Sequence, residues 1–214
     1  MKKLPLALGA GVFSLALVLT GCSDASAPTG ENTAPSDTSS TVTANDADEM
    51  FVTMMIPHHQ QAIEMADIVL AKDGLDPAVA ELAQQIKDAQ GPEMERMLGW
   101  LDDWGVEYEP DDMGGMDHGS MDDSGDGMMP EEDMATLEEA DATQASRIFL
   151  EQMIVHHEGA IEMAEAALTN AGSAEIKALA ERISAAQGPE IDQMTSWLQA
   201  WGEPTEAGGH AGHG

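Results

Sequence analysis

Phe51-Val-Thr-Met-Met-Ile-Pro-His-His-Gln-Gln-Ala-Ile-Glu-Met-Ala66 returns 98 residues later as Phe149-Leu-Glu-Gln-Met-Ile-Val-His-His-Glu-Gly-Ala-Ile-Glu-Met-Ala164. A second block, Ala89-Gln-Gly-Pro-Glu93, returns 97 residues later as Ala186-Gln-Gly-Pro-Glu190. Met97, Trp100, Leu101, Trp104 and Gly105 then match Met194, Trp197, Leu198, Trp201 and Gly202. Two copies of about 55–60 residues, each too small to make a comfortable core alone, predict one fused core.

Each copy reads as two helices. Asp46-Ala-Asp-Glu49 resembles a capping box that opens the first, and Lys72-Asp73-Gly74 closes it with a cation and a glycine. Asp76-Pro77 opens the next with an N-cap and a first-turn proline, and Trp104-Gly105 ends it. Gly91-Pro92 and Gly188-Pro189 predict a kink or a short break inside the second helices, and Pro57 a bend in the first. Trp100, Trp104, Trp197 and Trp201 are expected to pack as core at the bundle end. The fold class that follows is all-α: a four-helix bundle made of two repeated helical hairpins.

A helix turns about 100° per residue, which puts Phe51, Met55, His58, Ala62 and Met65 on one stripe. Phe149, Met153, His156, Ala160 and Met163 form the same stripe in the second copy. His59 and His157 sit on its flank, and Met55 lies one turn before His59. Met54 has Gln152 as its counterpart and stands outside the shared pattern. Methionine at helical spacing is ordinarily core. Four imidazoles in two matching Met-x-x-His-His-x₅-Met arrays call for more, because each buried ring needs a partner. Thioether with imidazole suits Cu(I) or Ag(I), and imidazole alone also accepts Cu(II). The sequence has no Glu-x-x-His pair for a di-iron bundle and no Cys-x-x-Cys-His haem attachment.

The duplicated Met-x-x-His-His-x-x-Ala-Ile-x-Met-Ala, followed by Gln-x-x-Glu and Met-x-x-Trp-Leu, resembles the domain-of-unknown-function 305 family. Gln90, Glu93, Met97, Trp100 and Leu101 carry the second part, as do Gln187, Glu190, Met194, Trp197 and Leu198. The likeness covers about residues 46–105 and 135–202. It implies a ferritin-like four-helix bundle, export, and binding of copper with tolerance to copper or silver. It also implies copper ligation by Met55, His58, His59 and Met65, and by Met153, His156, His157 and Met163.

The chain has 214 residues, 40 Asp and Glu against 8 Lys and Arg, and a net charge of −32. That balance excludes nucleic acid as a partner, since a duplex would be repelled. A single cysteine excludes an internal disulfide framework, a Cys-based zinc site and an iron–sulfur cluster. Lys2 and Lys3 precede an apolar run from Leu4 to Leu19, the pattern of a signal peptide over residues 1–21. The run ends in Leu19-Thr-Gly-Cys22, which resembles a bacterial lipobox and implies that Cys22 is lipidated. The expected location is the outer face of the cell membrane, held there by lipid. Residues 22–45 carry the cysteine and a Ser-, Thr-, Ala- and Pro-rich tether that is expected to be disordered. The first hairpin spans residues 46–105, an acidic linker residues 106–134, the second hairpin residues 135–202, and a Gly/His tail residues 203–214.

The linker has no lysine or arginine and carries Met113, Met116, His118 and Met121, then Met128, Met129 and Met134. Methionine in such a stretch has no core to fill, so the first four are candidate ligands for Cu(I) or Ag(I). His210 and His213 in the tail are candidates for weak copper capture. Asp122, Ser124, Asp126, Gly127 and Asp133 approximate a calcium loop, but its last position lacks glutamate, which argues against calcium. The leading expectation is a copper-binding protein that sequesters or delivers the ion, with metal ions and a copper-handling protein as partners. It is expected not to be an enzyme, because no acid/base or nucleophile set stands out. A bundle metallo-oxidase and a structural lipoprotein that docks a protein partner are the competing readings.

Overall fold

A computed structural model of the chain describes residues 44–108 and 126–202. Among these described residues are five helices: α1 (Asp46–Leu70), α2 (Pro77–Trp104), α3 (Glu131–Glu139), α4 (Ala142–Asn170) and α5 (Ala174–Gly202). The hairpins α1–α2 and α4–α5 are the two sequence repeats, and α1 packs on α4 at the centre. The all-α bundle expected from the repeat is therefore what forms.

The local signals explain most boundaries. Asp76 caps α2 by accepting hydrogen bonds from the Ala78 and Val79 backbone, with Pro77 at the first position. Gly105 ends α2 at φ 71°, a left-handed conformation that suits glycine. The capping box at α1 sits one residue earlier than Asp46 would place it. Asn45 is the N-cap and Asp48 the reciprocating acid, each bonded to the other's backbone N–H at 2.8 Å. Asp48 is preferred because its carboxylate also accepts from Gly172 and Ser173, in the turn between α4 and α5.

Of the kink or short break expected at Gly91-Pro92 and Gly188-Pro189, the break does not occur; α2 and α5 run through both prolines. Each proline faces water, and so do Asp88 and Ala185, whose carbonyls the missing N–H groups would have bonded. Water can satisfy those carbonyls, so the helix loses one bond and continues. The tryptophans also depart from expectation. Trp100 and Trp104 pack half-buried on one apolar cluster and Trp197 on the other, whereas Trp201, in the last turn of α5, is exposed beside the α1–α2 turn.

The linker is partly built into the bundle. Residues 126–130 lie against α1 and α4, and α3 straddles the expected boundary between linker and second repeat. Met129 and Leu137 are buried in the core, so Met129 fills space rather than waiting for a ligand. Two apolar clusters result. One joins Met65 and Val69 of α1 to Leu82 and Ile86 of α2, Phe149 and Met153 of α4, and Met194 of α5. The other joins Phe51 and Met55 to Met97 and Leu101, Ala160 and Ala164, and Ile176 and Ile183. On all four long helices the residues between the clusters are polar and buried: His58, His59, Gln90, His156, His157 and Gln187.

Candidate metal centre

The helical stripe deduced from the repeat points inward, except at Met163, which is half-buried at the surface. His59, His156 and His157 are completely buried, and His58 nearly so. Ala62 and Ala160, both fully buried, leave room on the inner face of α1 and α4 for the rings opposite. His58 and His156 meet at the junction of the repeats, with ring centroids 3.6 Å apart and planes tilted by 36°.

Three of the four rings are fixed by a hydrogen bond at Nε2. His59 Nε2 lies 3.1 Å from a Glu93 carboxylate oxygen, and His157 Nε2 lies 2.7 Å from a Glu190 carboxylate oxygen. His58 Nε2 lies 3.0 Å from the Asp126 carbonyl oxygen. A carbonyl or an ionised carboxylate can only accept, so each Nε2 carries a proton, and in the neutral ring each Nδ1 keeps a lone pair. Those Nδ1 atoms are buried and have no hydrogen-bond partner. Neither nitrogen of His156 has one. Gln90 and Gln187 add buried, unpartnered amide oxygens to the same layer. An unmade bond at a buried polar atom costs about 1–3 kcal/mol, so this layer is expensive unless something occupies the lone pairs.

Burial is the main reason the two touching rings stay neutral. It pushes His58 from 6.5 to about 3, with the neighbouring His59 adding to the effect and the Asp126 carbonyl opposing it. Burial, then the charges His58, His157 and His59 would carry, holds His156 well below its ordinary value. A neutral imidazole with a free lone pair is the form that ligates a soft or borderline metal.

The thioethers divide. Met55 and Met153 are fully buried, one turn before their histidines, and belong to opposite apolar clusters on either side of the histidine layer. Met65 and Met163 lie two turns away from the rings, about 9–10 Å along the axis. Met65 is core, and Met163 is half-buried on the surface of the other cluster. Among the described residues, no three His, Cys, Asp or Glu side chains are disposed to hold an ion as they stand. An ion held here would need Met55 or Met153 as a further ligand, or a turned ring. Cys22, Met113, Met116, His118, Met121, His210 and His213 lie outside the described residues.

Glu93 and Glu190 were visible in the sequence only as a repeated motif, without a role. They stand 34 and 33 residues after the rings they bind, across a hairpin, so no local spacing connects them. The signal was the matched Gln-Gly-Pro-Glu, which places one acid per copy at the same depth as the His pair. The Asp126 carbonyl had no signal at all; it reaches His58 because Gly127 (φ 74°) packs directly on Gly159.

Solved structures share this architecture. A protein from Streptomyces coelicolor, described as a candidate secreted protein, is 33% identical. The match covers 72% of this chain and 93% of that one, with a TM-score of 0.64. CopM in its Cu(II)-bound form is 34% identical over 72% of this chain and 97% of CopM, with a TM-score of 0.59. CopM has also been solved in Cu(I)-bound, silver-bound and apo forms. No curated protein sequence matches the chain. The profile of the domain of unknown function DUF305 gives two overlapping matches, residues 48–174 and 149–214, the first reaching through α4 and the second beginning at Phe149. With the duplicated motif, the bundle and these likenesses in agreement, the chain belongs to the DUF305 family.

Proposed function

We propose that this chain is an exported, membrane-anchored copper-binding protein that takes up Cu(I) or Cu(II), and also silver, through its buried histidine layer. The observation that carries the reading is the set of three Nδ1 lone pairs on His58, His59 and His157. All are buried and unpartnered, and their Nε2 protons are already committed to Glu93, Glu190 and Asp126. Metal-bound histidines ordinarily have such a partner at the second nitrogen, which fixes the ring and raises its basicity. CopM supports the choice of metals, and the Streptomyces coelicolor relative, described as a candidate secreted protein, supports export.

The protein works by binding rather than turnover, sequestering the ion or passing it to a copper-handling partner. A net charge of −32 concentrates cations around it. Met113, Met116, His118 and Met121 supply a second, weaker collector whose tether keeps captured ions near the bundle. Cys22 carries the lipid that holds the chain at the membrane. Cys22→Ala should release the protein into the soluble exported fraction; unchanged membrane retention would assign anchoring to the leader itself.

The deciding experiment is a competition titration of metal-free protein with Cu(I), beside a His58→Asn/His156→Asn variant checked for helicity. The variant should stay helical and lose bundle copper. An unchanged isotherm would make the histidines structural. Oxygen consumption by the copper-loaded protein would favour an oxidase instead.

A further inference from the structure

The α1–α4 pair has two grooves, related by the repeat, and they are treated differently. One is filled by α3. Leu137 is fully buried there, against a cluster that includes Met65, Phe149 and Ile148. Gln152 Nε2 donates to the Asp133 carbonyl at 2.9 Å, and Lys72 Nζ donates to the Glu138 and Ala140 carbonyls at 2.8 Å. The other groove is open and encloses about 260 Å³. Its walls are Ala47, Met50, Phe51 and Met54 from α1, with Met163, Ala166, Ala167 and Asn170 from α4.

The substitutions between the two grooves fall where α3 makes its contacts. With the 98-residue offset, Ile148 becomes Met50 and Gln152 becomes Met54. Lys72, which holds the end of α3, becomes Asn170. The grips on a covering helix are gone and two thioethers stand in their place. Met50 is 61% exposed and Met54 36%, an exposure that core packing does not reward. Met163 completes a set of three thioethers from two facing helices, and among the described residues no carboxylate lines the groove.

We propose that Met50, Met54 and Met163 form a binding site for a soft monovalent cation, Cu(I) or Ag(I), separate from the histidine layer. Thioethers are neutral, soft donors on unbranched, flexible stems, so they can close on an ion of this class and discriminate against Cu(II) and zinc. They carry no proton to lose, so occupancy is independent of pH across the ordinary range. Met54 lies one helical turn, about 6 Å, before His58, so the groove receives ions at the surface close above the buried rings. The site rests on the copper-binding reading above and adds the place of entry and the oxidation state it accepts.

The test uses the full chain purified in detergent, with ¹³C-labelled methionine methyl groups, titrated with Ag(I). A triple Met50→Leu/Met54→Leu/Met163→Leu variant is run beside it. Leucine keeps the groove apolar and of similar volume, so a role in docking a protein segment would survive while ion binding would not. The expected result is saturable movement of the three methyl resonances with Ag(I), none of it with diamagnetic Zn(II), and the loss of one Ag(I) equivalent in the variant. Uptake of Ag(I) with these methyls unmoved, or an undiminished stoichiometry in the variant, would overturn the site while leaving the histidine layer standing. No uptake of Ag(I) or Cu(I) at all would overturn both.

Discussion

Gln61 and Gly159 occupy equivalent positions in the two repeats, and both hold the same stretch of chain. Gln61 grips Met129 at both backbone groups, donating to its carbonyl at 2.8 Å and accepting from its N–H at 2.7 Å. Gly159 does it by lacking a side chain: a Cβ there would overlap the Asp126 carbonyl and stand 2.6 Å from Gly127 N. That carbonyl is the partner of His58 Nε2.

Gly159→Ala should therefore lift residues 126–129 and strip His58 of its partner. A cost of about 1–3 kcal/mol is expected, as for overpacking elsewhere. Gln61→Ala should cost a comparable amount by leaving the Met129 backbone groups unpaired. Urea midpoints measure both. A midpoint in Gly159→Ala equal to the parent's would show that the segment shifts without consequence.

Glu93→Gln and Glu190→Gln keep shape but remove the charge that orients His59 and His157. If the rings ligate copper, each change should weaken Cu(I) or Cu(II) binding by about 10–100-fold with helicity retained. Affinity within twofold of the parent's would reduce these acids to a structural role.

Acid should destabilise the metal-free protein through the touching rings. His58 is held at about 3 and His156 well below 6.5, so the unfolded chain binds protons that the folded chain refuses. Stability from this source is complete above 6.5 and falls as pH drops towards 3, by up to about 1.4 kcal/mol per pH unit per ring. Urea unfolding at about pH 5 and about pH 7 should show the loss, and His58→Gln/His156→Gln should flatten it. An equally steep dependence in that variant would place the effect on other groups.

Asp48 is wholly buried and accepts from Asn45, Gly172 and Ser173. Its counterpart Ser146 accepts weakly, at 3.4 Å, from Asp76 in the opposite turn. Asp48→Ala should cost about 2–4 kcal/mol, because backbone N–H groups are left unpaired beside a lost cap. That corresponds to a fall in Tm of roughly 5–15 °C, measurable by circular dichroism. Ser146→Ala should cost clearly less, and an equal loss in the two would contradict this ranking.

The helices and the inward stripe were legible because duplication doubles every local signal. A single His-His pair is ambiguous, whereas His58-His59 and His156-His157 at matched positions between matched methionines point to one layer. What escaped was contact between distant segments. α3 has one buried residue, Leu137, too little for an apolar period to show. The cap at α1 was misplaced by one residue because Asn45 and Asp46 are both good caps, and only the pull of Asp48 towards Gly172 and Ser173 decides between them. The partners of His59 and His157 lie across a hairpin, where residue spacing is silent.

The ring contact between His58 and His156 makes the molecule an internal dimer with a single, isologous interface. The face that one repeat presents is the face it accepts, so a free half is self-complementary and should pair with its own kind, placing His58 against a second His58. At the centre the symmetry is broken by one bond, from His58 to the Asp126 carbonyl, which His156 lacks; the other departures lie further out. α3 covers one side, the open methionine groove marks the other, and Gln61 and Gly159 differ where the covering segment crosses. Fusion into one chain thus does what a homodimer cannot: it keeps the paired rings in contact while giving the two sides, and the two rings, different surroundings.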